Sequence, residues 1–298
     1  MSARHVVVIG DIVTDVLAVL AAPLAPGSDT RARIRLNGGG QAANTAAWLA
    51  HAGAAVTLVG AVGADDAGAA RLAELAASGV SCAVRRHPEA TTGTVLVLAR
   101  GQDRTMVTDR GANLLLKPSD VDSALAAAPG AAHLHLSAYA LLDPASRPAG
   151  LRALAAARAR GLTASVDAAS AEPLRQAGRA DFLEWVRGVD LLLANAAEAA
   201  VLAGAGDPAG QATRLTEWVG SAVVKLGADG ALWAGPADAV VRLEAPAVSV
   251  VDPTGAGDAF AAGLLAAWVA GADRESALRA GVELGARAVA VLGARPGG

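Results

Sequence analysis

Apolar residues along this chain come in short unbroken runs that end in polar or turn-forming residues. "HVVVIGD", "AVTLVGAVG", "AAHLHLSA", "LTASVDA", "VDLLLANAAE" and "SAVVKLGADG" all have this form. A strand buried on both faces reads as a continuous apolar run, because neither side of its pleat meets water. Between the runs, Gln41–His51, Ala67–Ala77, Ala149–Arg160 and Arg274–Val291 carry apolar residues at helical spacing. Strands alternating with helices predict an α/β fold whose central parallel sheet is covered on both faces. No low-complexity linker, composition break or internal repeat divides the sequence, so the pattern predicts one domain over residues 1–298.

Two segments depart from the alternation. "TRARIRLN" (Thr30–Asn37) alternates charged and apolar residues, the pattern of a strand with one wet face. "TTGTVLVLARGQDRTMVTD" (Thr91–Asp109) reads as a hairpin turning at "RGQD". The two segments form either a small accessory sheet or two edge strands of the main one.

Composition narrows the function. Hydrophobic residues make up 53% of the 298 and charged residues 18%, which is ample for a buried core. The net charge of −3 gives no electrostatic reason to expect nucleic acid or an anionic membrane as partner. No run reaches the roughly 20 apolar residues of a membrane span. The apolar run before Asp11 is too short for a signal peptide, so a cytoplasmic protein is expected. Cys82 is the single cysteine, which excludes an intramolecular disulfide and fits a reducing compartment. With no His/Asn partner pattern, it reads as a buried or incidental thiol.

In open parallel sheets, ligands gather where strands end and loops converge. Asp11, Asp15, Asn195, Glu198, Lys225 and the segment Asp252–Asp258 all stand at such ends. For each, a capping or solvated role is the alternative. "VDPTGAGDAF" (Val251–Phe260) says more. A strand here turns into a buried helix from Ala259 to Ala270, with Gly255–Gly257 as its first turn. Exposed amides and the helix dipole at such a turn attract a phosphate-like anion. The alternative is that Asp258 simply favours the helix start. "NGGGQAANTAAWLAHAG" gives a second surface where backbone can approach a ligand, with Asn44 one turn into its helix. There is no G-x-x-x-x-G-K-[ST], which excludes a P-loop NTPase. No convincing G-x-G-x-x-G follows the first strand, which disfavours a dinucleotide enzyme.

These motifs together resemble the ribokinase family, the phosphofructokinase-B type of sugar and nucleoside kinases. "GGQAANTAAWLAHAG" and "DPTGAGDAFAAG" match its two signature regions. "GAVGADDAG", "DRGAN", the pair Asn195 and Glu198 of "NAAE", and "VKLGADG" follow in order, so the resemblance spans essentially the whole chain. It implies a ribokinase-like fold, a central mostly parallel sheet flanked by helices, with a small β lid from about residues 12–37 and 91–110. It implies ATP-dependent phosphorylation of a hydroxymethyl group on a sugar or sugar acid, with Mg²⁺.

By motif position, Asp258 corresponds to the catalytic base and Gly255, Ala256 and Gly257 to the backbone anion hole. Asn195 and Glu198 correspond to the pair that organises Mg²⁺ through its waters near ATP. Lys225, Gly227 and Gly230 fall on the nucleotide side, and Asp15, Gly39, Gly40 and Asn44 on the acceptor side. Family members often use a monovalent cation such as K⁺; Asp252 and Thr254 match part of that site, with Ala288 and Gly293 as backbone contributors. Lid strands in the family often pair between subunits, which implies a homodimer.

The resemblance also gives Asp258 a reason to stand at an anion site. The amides face the transferring phosphate, while the carboxylate faces the attacking hydroxyl. At an ordinary pKa of roughly 4, it accepts the proton late, as the hydroxyl acidifies. Two departures stand out: Val13 occupies a position where sugar kinases usually carry Asn, and Gly297 one where some members carry Ser near the cation. Three other readings compete. A nucleoside kinase would stack a base on Trp48 or Tyr139. A sugar-phosphate kinase would need a cationic pocket, for which Arg31, Arg33, Arg35, Arg104 and Arg110 are candidates. A non-catalytic sugar sensor on the same scaffold would not need Asp258, Asn195 and Glu198.

Overall fold

The computed structural model describes residues 4–100, 103–236 and 239–297. Thirteen strands are β1 (His5–Ile9), β2 (Val13–Leu20), β3 (Ala32–Gly39), β4 (Ala55–Gly63), β5 (Ser81–His87), β6 (Gly93–Arg100), β7 (Asp103–Asp109), β8 (Ala131–Ser137), β9 (Thr163–Asp167), β10 (Leu191–Asn195), β11 (Ala222–Lys225), β12 (Ala231–Ala234) and β13 (Val241–Leu243). Nine of them form one sheet in the order β13-β12-β11-β10-β9-β8-β1-β4-β5. Its pairings from β11 to β5 are all parallel, and β12 and β13 join antiparallel at one edge.

The continuous apolar runs are explained by two cores, one on each face. Along β1, Val7 and Ile9 enter one cluster while Val6 and Val8 enter the other. Helices Pro118–Ala127 and Arg147–Ala159 cover the first face; Gln41–His51, Ala256–Val269 and Arg274–Val289 cover the second. Full burial of a Val or Leu contributes about 1.5–3 kcal/mol, so both faces are strongly specified. His133 and His135 sit within the β8 run, fully buried, and share Ser165 Oγ at 2.8 Å each. Burial holds both down to about 3, so they are neutral structural residues.

Chain order fixes where a ligand can sit. From β1 the chain builds outward through β4 and β5, then returns to build β8, β9, β10 and β11 on the other side. The β1/β8 boundary is therefore a topological switch point, and loops diverge there at the strands' carboxyl ends.

The remaining four strands form a separate sheet, β3-β2-β6-β7, with β2–β6 parallel and the other two pairings antiparallel. The accessory-sheet reading holds over that of two edge strands. β6 and β7 pair as a hairpin down to Arg100 and Asp103; the expected turn residues Gly101 and Gln102 and the Arg104 side chain lie outside the described residues.

Three expectations are corrected. β3 does not have one wet and one buried face: Ile34 and Leu36, on its apolar side, are 64% and 67% exposed. The alternating pattern marks an apolar face that this chain leaves in solvent. Cys82 is exposed on β5, the edge strand of the large sheet, which removes the buried reading of this thiol and leaves the incidental one. Finally, no strand leads into the "GAGD" helix. β13 ends at Leu243, and residues 244–250 run without strand pairing, with Val248, Val250 and Val251 exposed. Pro246 and Pro253 lack the N–H that a ladder needs, and the segment has left the sheet edge to cross back toward the switch point. There Val251 N–H and Asp252 N–H donate to Val289 O at 2.7 and 3.2 Å.

Candidate active site

Five adjacent strands of the large sheet end in polar residues: β1 leads into Asp11, β8 ends at Ser137, β9 at Asp167, β10 at Asn195 and β11 at Lys225. Side chains from these ends interlock. Asp11 accepts the amides of Gln41 and Ala42 at 3.2 and 3.3 Å, which caps helix Gln41–His51 where Gly40 offers no side chain. Ser137 Oγ donates to Gln41 Oε1 at 2.6 Å, and Gln41 Nε2 donates to Asp167 Oδ1 at 3.0 Å. Lys225 Nζ donates to Asp167 Oδ2 at 2.6 Å.

The "GAGD" turn closes over this row. Gly255 is the N-cap of helix Ala256–Val269 at φ 75°, where a Cβ would meet Ala294 O at 2.5 Å, so only glycine fits. A Cβ on Gly257 would meet Lys225 Nζ at 3.5 Å, which places the amine against the helix N-terminus. Lys225, at the end of β11, therefore also stands beside the glycine turn. Within the expected anion-hole turn Gly255–Gly257, the Ala256 N–H donates to Pro253 O at 3.3 Å. Asp258, in the first helical turn, accepts from Asn44 Nδ2 at 2.9 Å.

Burial sets the electrostatics. It lifts Asp258 up to about 8; Asn44's hydrogen bond opposes this, Asp167 adds to it, Lys225 opposes it, and Asp11 adds to it. This corrects the ordinary value expected from sequence, and it makes Asp258 a stronger base than a solvated carboxylate. Burial alone would push Lys225 down, but Asp167 and Glu198 outweigh it and hold the amine above its usual range. Burial also raises Glu198, against the pull of Lys225.

The expected acceptor side is assembled at the small sheet. A side chain on Gly39 would run into the Asp15 carboxylate, so glycine there leaves room for Asp15. Asp15 is raised to about 6 by burial, opposed by Arg295. Val13 is buried and shares its face of β2 with Asp15, two residues on. Arg110 stacks over Tyr139 with 4.3 Å to the ring centroid and lies 3.6 Å from Asp11. Trp48 is buried and donates to Ala294 O at 2.9 Å, so it has no face to offer a base.

Other expected residues serve local structure as well. Asn195 and Glu198 form a reciprocal capping box on helix Ala196–Ala203, with Glu198 Oε2 on the Asn195 N–H at 2.8 Å and Oε1 on Asn195 Nδ2 at 2.6 Å. Asp252 accepts from Thr254 N and Oγ1 at 3.0 and 2.6 Å, and from Gly293 N at 3.2 Å. Gly293 thus presents its N–H there, and Ala288 O accepts from Val291 N at 3.2 Å. Gly230 has φ 85° against Leu243 O in the turn after β11, while Gly227 is exposed. Among the described residues, no group of three or more His, Cys, Asp or Glu side chains could cage a metal by itself.

Sequence reasoning missed Asp167, Gln41 and Arg295. Asp167 ends the run "LTASVD" and would have been found by the same strand-end rule that selected Lys225. Arg295 carries no local signal; it reaches Asn44 from a tail 251 residues further on.

A parallel sheet with a small second sheet, and a helix N-terminus set against a buried carboxylate and a lysine at the switch point, defines a ribokinase-like sugar kinase. The profile of the pfkB family carbohydrate kinases matches residues 3–297. The chain is 34% identical over 282 residues to the ATP-dependent ribose-1-phosphate kinase of Halopiger xanaduensis, covering 91% of this chain and 87% of that one. It is 34% identical over 265 residues to the 2-dehydro-3-deoxygluconokinase of Thermoproteus tenax, covering 85% and 80%. The crystal structure of adenosine kinase from Sinorhizobium meliloti superposes with a TM-score of 0.88 at 25% identity, covering 100% and 97%. The protein belongs to the pfkB family and is a carbohydrate kinase, a phosphotransferase with an alcohol acceptor.

Proposed function

We propose that this enzyme transfers the γ-phosphate of ATP to a hydroxymethyl group of a sugar or sugar acid, with Asp258 as general base. The observation that carries the reading is the convergence at one point of the Gly255–Gly257 turn, the Lys225 amine and the raised carboxylate of Asp258. Gly255 and Gly257 amides and Lys225 face the phosphoryl group, and Asp258 takes the proton from the hydroxyl that attacks it. Positioned bases of this kind contribute about 10²–10⁴-fold.

Mg²⁺ suits the donor set through water. Glu198 is a buried carboxylate whose oxygens are already shared with Asn195, and a hard cation that keeps its waters needs no protein cage. Bound with ATP, it would neutralise phosphate charge. Asp252 and Thr254 are the proposed edge of a K⁺ site. The small sheet is proposed as a lid over the acceptor, and its exposed Ile34, Leu36 and Met106 as the contact of a homodimer.

A second reading, a sugar-phosphate kinase, is favoured by Arg110, a cation beside the acceptor side whose nearest carboxylate, Asp11, lies 3.6 Å away. One similar enzyme is named for a sugar phosphate and another for a sugar acid, and an anionic acceptor of either kind would find a counter-charge in Arg110. A nucleoside acceptor is less well served, since Trp48 is buried and Tyr139 is covered by Arg110. A sensor would not need the assembled base and lysine. The test is ADP release from Mg·ATP across pentoses, hexoses, sugar acids, sugar phosphates and nucleosides. Turnover of sugars or sugar acids supports the proposal, and turnover of sugar phosphates alone supports the second reading; turnover of nucleosides alone, or ligand binding without ADP, overturns both.

A further inference from the structure

The C-terminal tail after helix Arg274–Val289 folds back onto the site at Arg295. Its Nε–H donates to Asn44 Oδ1 at 3.0 Å, and a second guanidinium nitrogen donates to Gly39 O at 2.9 Å. Glu74 lies 3.5 Å from the third nitrogen. Glu74 is itself held by Arg71, which reaches Thr14 Oγ1 and Asn37 O at 3.1 and 3.3 Å on the small sheet. The buried Trp48 Nε1–H, on Ala294 O, pins the tail one residue earlier. The Arg295 guanidinium thus meets three partners, and the tail is anchored one residue before it.

The chemistry of the pair settles how Asn44 is turned. A guanidinium has donors and no acceptor, so the amide oxygen must face Arg295. The amide nitrogen then faces Asp258, where it stands 2.9 Å from Oδ2. A donor aimed at a carboxylate favours its ionised form, the form a base requires. We infer that Arg295 is a positioning residue for the catalytic base: it acts through Asn44, locking the amide so that Nδ2–H points at Asp258.

This inference rests on the reading of Asp258 as base. The other groups facing Asp258 are Asp11 at the end of β1, Asp167 at the end of β9 and Lys225 at the end of β11, together with Arg295 itself. Removing the arginine's charge would also move Asp258, so Arg295→Lys is the decisive variant. It keeps a cation but lacks the planar fork that bonds Asn44 and Gly39 together.

The experiment is a cycle of wild type, Arg295→Lys, Asn44→Ala and the double variant, with thermal melts as a check on folding. Turnover is measured with Mg·ATP and the fastest acceptor of the panel. The ligand-free titration of Asp258 is followed by carboxyl ¹³C NMR. Each single variant should lose about 10- to 100-fold in kcat, the range for a hydrogen bond to a charged group. KM for ATP should stay within about twofold, the pattern expected when a group acts only in the transition state. The Asp258 titration and the acid limb of kcat/KM should move together to higher pH. In the Asn44→Ala background, Arg295→Lys should change neither.

Losses that multiply in the double variant, or an unmoved Asp258 titration in Arg295→Lys, overturn the inference. If Arg295→Lys does not fold, Arg295→Gln, which keeps a donor but no charge, replaces it under the same criteria in the Asn44→Ala background. Asp258→Asn separates the two levels. Full turnover in that variant removes the base reading and this inference with it. An inactive Asp258→Asn with independent Arg295 and Asn44 effects removes the inference alone.

Discussion

Replacing Asp258 with Asn should make the enzyme nearly inactive and more stable, with a gain in stability that grows with pH. The carboxyl titrates at 3.8 in the unfolded chain and about 8 in the fold, because burial disfavours its charge and Asp167 and Asp11 add to the effect. A raised value means that the folded state holds the proton more tightly. The contribution is fully present below the unfolded value and is lost as pH rises toward the folded one. Between the two values, each pH unit removes about 1.4 kcal/mol from the wild type relative to a neutral isostere. From pH 5 to pH 7 the variant's advantage should therefore widen by about 2.5 kcal/mol, an upper bound for a site that relaxes on ionisation. For a chain of this length that is about 5 °C in Tm. Thermal melts of the ligand-free proteins at pH 5, 7 and 9 measure it, beside kcat, which should fall about 10²–10⁴-fold. An equal Tm difference at pH 5 and pH 7 would refute the buried, raised carboxyl; near-normal turnover would refute its role as base.

Lys225→Met should raise KM for ATP and lower stability by about 3 kcal/mol or more, since Asp167 and Glu198 then lose their buried cation; unchanged melting would contradict the pairing. Glu198→Gln should raise the Mg²⁺ concentration needed for half-maximal rate more than it changes acceptor KM, and the reverse pattern would remove Glu198 from the metal side. Ile34→Asp together with Leu36→Asp should leave the fold intact and convert a dimer to monomer in sedimentation, while a wild type that sediments as a monomer sinks the dimer proposal. Val13→Asn should widen acceptance toward more fully hydroxylated sugars. If it costs stability while leaving the substrate ranking untouched, Val13 only packs between Gly39 and Gly93.

The large sheet was legible because both its faces are buried, and an apolar run has one reading when neither side meets water. The small sheet was legible in its strands but not in its burial. Alternation reports which residues share a face, not whether anything covers that face, and Ile34 and Leu36 show the difference. The segment before "GAGD" misled for a related reason: "AVSVV" has the composition of a strand, yet the chain there pairs with neither sheet. In the site, residues were found where the backbone announces them, at strand ends and in glycine-rich turns. Arg295 was invisible because its role comes from where a tail folds, which no local pattern encodes.

The same distinction bears on the carboxylate of Asp258, the proposed base. Standing at a helix N-terminus, it should be acidified by the dipole, an effect of about 0.3–1 kcal/mol at exposed sites and about 2 kcal/mol at best. The fold instead raises it to about 8, a displacement worth about 6 kcal/mol, so burial and neighbouring carboxylates win. The motif "GAGD" supplies only the weaker influence. The stronger one is burial beneath the surrounding elements, opposed by the Asn44 hydrogen bond and by Lys225 and reinforced by Asp167 and Asp11 at two strand ends. The glycine turn alone, on a surface without those neighbours, would hold an ionised carboxylate that repels a phosphate. Surrounded as it is here, with its value raised to about 8, the carboxyl holds its proton near neutral pH. Asn44 and Lys225 favour the ionised form, so under the proposed base role the proton that must leave before transfer comes off a group already poised near working pH.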